Sequence, residues 1–301
     1  MTRLFKRNYI SVLLLLLAVS GVHAVGGSRP ADYQGQWPDS VFPIETLNGR
    51  VLTVQEKAYH VEFDGASINR HLKYSLVLKY DGKGRLTDEN YFNADGSAAN
   101  SISYEYDGMD LAVKIQDHPS VINPDRELFR IVDGRILEAE KIFSKGRYGW
   151  KYRNSYDDKG RIVLTSKYDR YWNWKLVYSR IFSYDDQGRL EYTEGFGMNS
   201  ELLWRDEFEY DADGRVSVSR KFNPDGDLVV RIENSYNAEG LAARREFFDG
   251  GGRSYAIYTY AYNYDEKGNW IQKVIGREEP GIRMPFLNPD SMVVRTIEYS
   301  D

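Results

Sequence analysis

Residues that most often carry chemistry are sparse in this sequence. Beyond residue 24, histidine occurs only at His60, His71 and His118, and none has a second histidine or a cysteine at metal-ligand spacing. The nucleophile motifs Gly-x-Ser-x-Gly and Ser-x-x-Lys do not occur. Carboxylates are abundant, but no pair stands out as an acid–base couple. We therefore expect no catalytic residue and no cofactor.

Acidic turns raise the question of a calcium site. "NPDGD" at 223–227 and "NADG" at 93–96 offer oxygen ligands, but both lack the spaced acids and the distal glutamate of a calcium loop. Asp, Asn and Gly in these places are explained by turn formation alone. The two close glycines of "GFGMNS", at 195–200, fall in a hairpin loop and do not predict a phosphate site. We expect no bound metal ion.

Aromatic residues give the one suggestive set. Three consecutive segments, 144–150, 169–174 and 196–204, lack a plain Asp-Gly turn and are rich in rings. Their members are Tyr148, Trp150, Tyr171, Trp172, Trp174 and Trp204. Loops that depart from a repeat often carry function, and rings on one side of a sheet could stack against sugars. The alternative is that these rings complete the core where the sheet curls.

The elements that must position these rings are set by a recurring turn phrase. "YDDKGRI" at 156–162 returns as "YDDQGRL" at 184–190, and related copies give a period of about 26 residues. The copies begin at Tyr80, Tyr106, Val132 (a degenerate copy), Tyr156, Tyr184, Tyr210, Tyr236 and Tyr264. A second turn falls about half a period later, and alternating residues fill the segments between turns. This pattern predicts strand–turn–strand units.

Each residue of the phrase has a turn function. The acid accepts a backbone N–H within the turn, and the glycine takes the positive φ that returns the chain to the ladder. These structural turn residues are Asp81, Gly84, Asp157, Gly160, Asp185, Gly188, Asp211, Gly214, Gly240, Asp265 and Gly268. Arginines that follow the glycine, such as Arg161, are expected over a neighbouring ring or on a turn carboxylate.

The tandem Tyr-Asp-x-x-Gly-Arg-aliphatic copies resemble the YD repeats of bacterial RHS-type secreted proteins, over about residues 72–275. That resemblance implies export and a strip of β-hairpins. We expect an all-β fold: a single elongated, twisted antiparallel meander of tandem double-hairpin repeats of about 26 residues. About sixteen strands, with one or two more from the N-terminal stretch, are expected. The expected segments are cap strands in 25–70, the repeat domain 71–275 and a capping loop and strand in 276–301.

The N-terminus predicts export. Arg3, Lys6 and Arg7 precede an apolar run from Ile10 to Val19 and small residues before Ala24, which is typical of a signal peptide cleaved after Ala24. The run is too short for a membrane span. Removal of 1–24 leaves 37 of the 40 basic residues against all 45 acidic ones, a net charge of −8. Such a chain is not expected to bind nucleic acid, and we expect it in the periplasm or outside the cell.

These observations favour a non-enzymatic binding or scaffold module whose partner is a protein or a cell-envelope carbohydrate. Two alternatives stay open: a purely structural spacer, and a carboxylate-based hydrolase acting on glycans.

Overall fold

The computed structural model describes residues 22–24, 45–64, 67–108, 110–117, 124–143, 149–278, 280 and 289–300. Residues 1–21 of the predicted signal peptide, His118 and Tyr148 lie outside the described residues. None of the described segments forms a helix long and apolar enough to cross a bilayer.

Twenty strands account for almost all of the described chain. In order they are β1 Val22–Ala24, β2 Glu45–Leu47, β3 Val51–Asp64, β4 Ser67–Tyr80, β5 Leu86–Asn93, β6 Ala98–Asp107, β7 Asp110–Asp117, β8 Asp125–Val132, β9 Arg135–Ile142, β10 Gly149–Tyr156, β11 Ile162–Asp169, β12 Lys175–Tyr184, β13 Leu190–Gly197, β14 Leu202–Tyr210, β15 Val216–Phe222, β16 Leu228–Tyr236, β17 Ala242–Asp249, β18 Ser254–Tyr264, β19 Trp270–Glu278 and β20 Pro289–Tyr299. The all-β prediction is therefore confirmed.

The sheet closes on itself. Strands β3 to β20 form one antiparallel barrel of 18 strands in chain order, and β20 pairs with β3 to complete it. The predicted elongated, twisted meander is thus wrong. β3 and β20, which lie in the segments expected to cap the two ends, pair with each other. Closure removes the unpaired N–H and C=O groups that two sheet edges would expose.

The short strands at the N-terminus lie apart from the barrel ladder. β1 pairs with β2 in parallel, and cleavage after Ala24 would remove β1. Leu47 of β2 is fully buried and packs with Val51, Val54 and Leu78 of the barrel. The N-terminal stretch therefore contributes to the core next to the first barrel strand.

The Tyr-Asp turns have the geometry that their residues predict. In the turn after β10, Gly160 has φ of 80° and donates its N–H to Asp157 O at 3.0 Å. The Asp157 carboxylate accepts the Arg161 N–H at 2.8 Å and the Arg161 Nε–H at 2.7 Å. The degenerate copy uses a two-residue turn, in which Asp133 and Gly134 both have positive φ.

Neighbouring Tyr-Asp turns are tied together through tyrosine. The Tyr184 hydroxyl donates to Ile162 O at 2.8 Å, and the Arg161 guanidinium lies 4.4 Å from the Tyr184 ring centroid. The same hydroxyl contact recurs around the wall, from Tyr106 to Leu86 O, Tyr156 to Ile136 O, Tyr210 to Leu190 O and Tyr236 to Val216 O. Each hairpin is therefore fixed to the next at this end, which we call the Tyr-Asp end.

The two faces of the wall differ in burial. On β14 the residues Asp206 and Phe208 are buried, whereas Leu203 and Glu209 on the opposite face are exposed. The buried face is the inner one. Its largest apolar clusters lie towards the Tyr-Asp end, one around Leu78 and Leu86 and the other around Leu190 and Phe208. At the opposite end, which we call the tryptophan end, the inner wall of β9–β15 is polar and aromatic.

Candidate functional site

The candidate site is a set of cations and rings on the inner wall of β9–β14 and the adjoining β15, at the tryptophan end. Strand register places Trp150 opposite Lys141, Tyr152 opposite Lys167, Lys167 opposite Tyr178, and Asp206 opposite Lys221. We call this set the inner patch. Its members are Lys141, Trp150, Tyr152, Lys167, Tyr178, Arg180, Trp204 and Lys221.

Members of the inner patch remain partly accessible although they face inward. Trp150, Lys167, Tyr178 and Trp204 are half-buried rather than buried. An 18-stranded barrel encloses more space than one layer of inward side chains fills. We expect a lumen of this size to admit water, and a ligand of suitable size to reach the same side chains.

One half of the patch surrounds Trp150. The Trp150 and Tyr152 rings meet edge to face, with centroids 4.6 Å apart. The Lys167 ammonium lies 5.7 Å from the Trp150 centroid and 5.6 Å from the Tyr152 centroid. Lys141 approaches Trp150 from the other side, at 5.9 Å. Two lysines therefore flank one tryptophan, at distances that favour cation–π attraction.

The other half surrounds Trp204. Its ring lies over the backbone of Gly195, where an added Cβ would stand 2.5 Å from Trp204 Cε2. Arg180 lies 4.8 Å and Lys221 4.9 Å from the ring centroid. The Arg180 Nε–H donates to the Thr193 hydroxyl at 2.9 Å. Glycine at position 195 is thus the feature that allows the indole to lie against the wall between two cations.

Burial changes the electrostatics of the patch. It lowers the pKa of the Lys167 ammonium, which Asp169 partly opposes, and it lowers the pKa of the Arg180 guanidinium. Burial also raises the pKa of the Asp206 carboxyl to about 6, although Lys221 and Arg180 act in the opposite sense. Burial is the largest cause of all three shifts, as expected for charged groups that are partly removed from water.

The residues that the sequence placed in one aromatic set occupy three different environments. Trp150 and Trp204 face the lumen, on β10 and β14. Tyr171 and Trp172 form the exposed tip of the β11–β12 loop, with 65% and 59% of their surfaces accessible. Trp174 has a φ of 58° and lies 5.0 Å from Lys151 of the outer wall. Tyr148 lies outside the described residues.

The patch cations were not among the predicted site residues. No sequence motif distinguishes them from the other lysines and arginines of the strands. They are Lys141, Lys167, Arg180 and Lys221. A signal was present, because Arg180 alternates with Tyr178 and Phe182 and must share their face. That face becomes a concave inner wall only when the sheet closes.

Among the described residues, no group of three or more histidine, aspartate or glutamate side chains could hold a metal ion. The acidic turns considered for calcium are ordinary turns. Gly96 N–H donates to Asn93 O at 3.0 Å, and Gly226 N–H donates to Asn223 O at 3.1 Å.

Comparison with known proteins gives no family. No family model matches the chain, and no curated protein matches it. The solved structures that are similar include a porin-like protein from Bacteroides uniformis, with 14% identity over 84% of this chain and 99% of that one, at a TM-score of 0.44. Another is a porin-like protein from Bacteroides vulgatus, with 10% identity over 83% and 98%, at 0.36.

A third is a LolA superfamily protein from Nitrosomonas europaea, with 12% identity over 87% of this chain and 90% of that one, at 0.27. These scores are too low to support a functional argument. The assignment to the YD-repeat family is nevertheless wrong on these findings, since no family model matches and the repeated hairpins close into a barrel. The recurring Tyr-Asp-x-x-Gly-Arg motif reflects the residues that a β-hairpin turn requires. It does not show that the chain belongs to the YD-repeat family.

Proposed function

We propose that this protein is a non-enzymatic binding protein of the cell envelope, and that it holds a carbohydrate chain against the inner patch of its barrel. One observation carries the proposal: Trp150 and Trp204 face the lumen, half-buried, at the end of the barrel away from its main apolar clusters. Tryptophan rings that are held by a rigid wall and still accessible suit the apolar faces of sugar rings.

Other features of the wall favour this function over the alternatives. A purely structural spacer gains nothing from partly buried lysines beside tryptophans, since burying charge costs free energy. A glycan hydrolase needs two cooperating carboxyl groups, whereas the charged groups that influence buried Asp206 are Lys221 and Arg180. A lumen lined by cations is also a poor environment for an acyl chain.

Location in the envelope is supported by the predicted signal peptide and by the outer wall. Outward-facing strand residues form close ion pairs, such as Arg205 with Glu194 at 2.9 Å and Lys151 with Glu138 at 3.1 Å. A lipid-facing barrel wall would instead carry an apolar band. The outer wall therefore favours contact with water, which suits the periplasm or the cell exterior.

The test is binding of the purified protein to an array of envelope-type neutral and acidic glycans. We expect binding that weakens by about tenfold or more in a W150A/W204A variant. Y192A, which removes a ring from the outer wall, is the matched control and should bind normally. Circular dichroism and thermal melting establish that each variant is folded. If W150A/W204A is unfolded, the single variant W150A replaces it in the binding test. Absence of any glycan binding, or full binding by W150A/W204A, would overturn the proposal.

A further inference from the structure

The inner patch carries more positive than negative charge. Cations that face inward on β9–β15 include Lys141, Lys167, Arg180 and Lys221. The inward carboxylates on the same strands are Asp206 and Asp169, and Asp125 and Glu127 follow on the adjacent β8. Asp169 is engaged in the β11–β12 loop, where it accepts the Tyr171 N–H at 2.7 Å. The arc from β11 to β15 is therefore a net cationic surface.

Two lysines of this arc, Lys167 and Lys221, also lack the close ion pairs that outer-wall cations form. On the outer wall, Arg220 meets Glu209 at 2.6 Å and Arg205 meets Glu207 at 2.8 Å. On the inner wall, Lys221 is 4.0 Å from Asp206, and Lys167 has no carboxylate within 4.0 Å in the part of the chain that the structure describes. Lys221 is exposed, whereas Lys167 is half-buried. Since half-burying the Lys167 ammonium without a close partner costs free energy, a bound anion would relieve that cost.

The geometry points to an acidic polysaccharide as the ligand, with carboxylate groups on Lys167 and Lys221 and sugar rings beside Trp150 and Trp204. This inference rests on the proposed carbohydrate-binding function and specifies its ligand. Lys167 on β11 and Lys221 on β15 are four strand spacings apart, about 19 Å along the wall. A polymer with repeated carboxylates reaches both lysines, whereas a single sugar does not.

Two probes separate the inference from the function on which it rests. Polygalacturonate is a carboxylated chain and dextran is a neutral one, and binding of both is measured by calorimetry at about 0.05 M and about 0.5 M salt. We expect polygalacturonate to bind more tightly than dextran by about tenfold or more, and to lose most of this advantage at the higher salt.

Lysine variants then locate the interaction. K167Q/K221Q should lose at least about tenfold in polygalacturonate affinity and leave dextran affinity unchanged. The matched control K159Q removes an exposed lysine at the Tyr-Asp end and should bind polygalacturonate normally. Glutamine removes the charge of each lysine and keeps most of the side-chain length. Melting temperatures check that the fold of each variant is intact.

The outcomes are distinguishable. Equal binding of dextran and polygalacturonate would overturn the acidic-ligand inference and leave carbohydrate binding in place. If K167Q/K221Q binds polygalacturonate as tightly as the parent protein, the preference for the acidic chain comes from other surface charges. That result would also overturn the inference. Failure of both probes together with the whole glycan array would overturn the proposed function itself.

Discussion

Arg295 of β20 and Glu56 of β3 face each other directly across the ladder that closes the barrel, with Arg295 Nε 2.7 Å from Glu56 Oε1. The Arg295 side chain is fully buried and that of Glu56 is 7% accessible. Arg295 also lies 3.2 Å from the Trp270 ring centroid. The junction between the first and last barrel strands is thus held by an inward ion pair over an aromatic ring.

Removing one partner of this pair should be strongly destabilising. We expect E56A or R295A to lower the free energy of unfolding by about 3–5 kcal/mol, because each removes one half of a buried ion pair. The double replacement E56L/R295M should cost much less than the two single changes together. Urea denaturation followed by circular dichroism measures all three. A loss below about 1 kcal/mol for each single variant would show that the junction is open to water.

The tyrosine contacts between hairpins should each contribute modestly to stability. Y210F removes the hydroxyl that donates to Leu190 O at 2.8 Å, and we expect a loss of about 1 kcal/mol. Y171F, at an exposed loop tip, is the control and should lie within about 0.5 kcal/mol of the parent protein. Chemical denaturation compares the two. Identical stability of Y210F and Y171F would show that the repeated contact is energetically neutral.

Gly195 and Trp204 should behave as a coupled pair. In G195A the new methyl group would overlap the indole, so we expect a destabilisation of about 1–3 kcal/mol. The same glycine substitution should cost far less in a W204A background, where the ring is absent. A double-mutant cycle from urea midpoints gives the coupling energy. Strictly additive effects would mean that the indole does not lie against β13.

Asp206 should make stability depend on pH in a direction opposite to that of an ordinary paired carboxylate. Its folded pKa of about 6 lies above the usual value of 3.8, so the folded state holds the proton more tightly. Stability from this group is therefore present below the unfolded pKa and is lost as pH rises through about 6. At about pH 8, Asp206 is ionised while it is buried. We expect this charge to lower the free energy of unfolding by up to about 3 kcal/mol.

The asparagine variant isolates this effect from all other titrating groups. We expect D206N to be more stable than the parent protein at about pH 8, and the difference to shrink towards about pH 4. Paired urea titrations at the two pH values give the difference directly. A D206N advantage that grows as the pH falls would reverse the sign and contradict the assignment.

The turns were predictable because their chemistry is local. Asp157 and Gly160 have the positions and φ that their sequence requires, and the alternation of strand residues sets the register between them. Arg161 was expected over a neighbouring ring or on a turn carboxylate, and it lies over the Tyr184 ring and on the Asp157 carboxylate. Each of these inferences depends on residues within one hairpin or its immediate neighbour.

Closure and the inner patch were not predictable in this way. Whether β20 meets β3 depends on the accumulated twist and tilt of the whole sheet, which no single hairpin encodes. From the sequence alone, Lys167 and Lys221 are unrelated lysines on separate hairpins. Trp150 and Trp174 likewise have no feature that distinguishes their environments. In the closed barrel, Trp150 faces the lumen and Trp174 lies against the outer wall. The aromatic set from the sequence is therefore divided among different environments in the structure, and the inner patch adds cations to two of its members.

The most direct test of the account is a cross-link across the closing junction. The chain has no cysteine, and Lys57 of β3 lies opposite Val294 of β20 on the outer wall. Paired residues in an antiparallel ladder have Cα atoms about 5 Å apart, within the range of a disulfide. We predict that K57C/V294C forms an intramolecular disulfide in nearly all molecules, whereas K57C/R205C, on distant strands, does not. Free thiols or only intermolecular disulfides in K57C/V294C would show that the sheet is open, and the inner patch would then have no lumen to face.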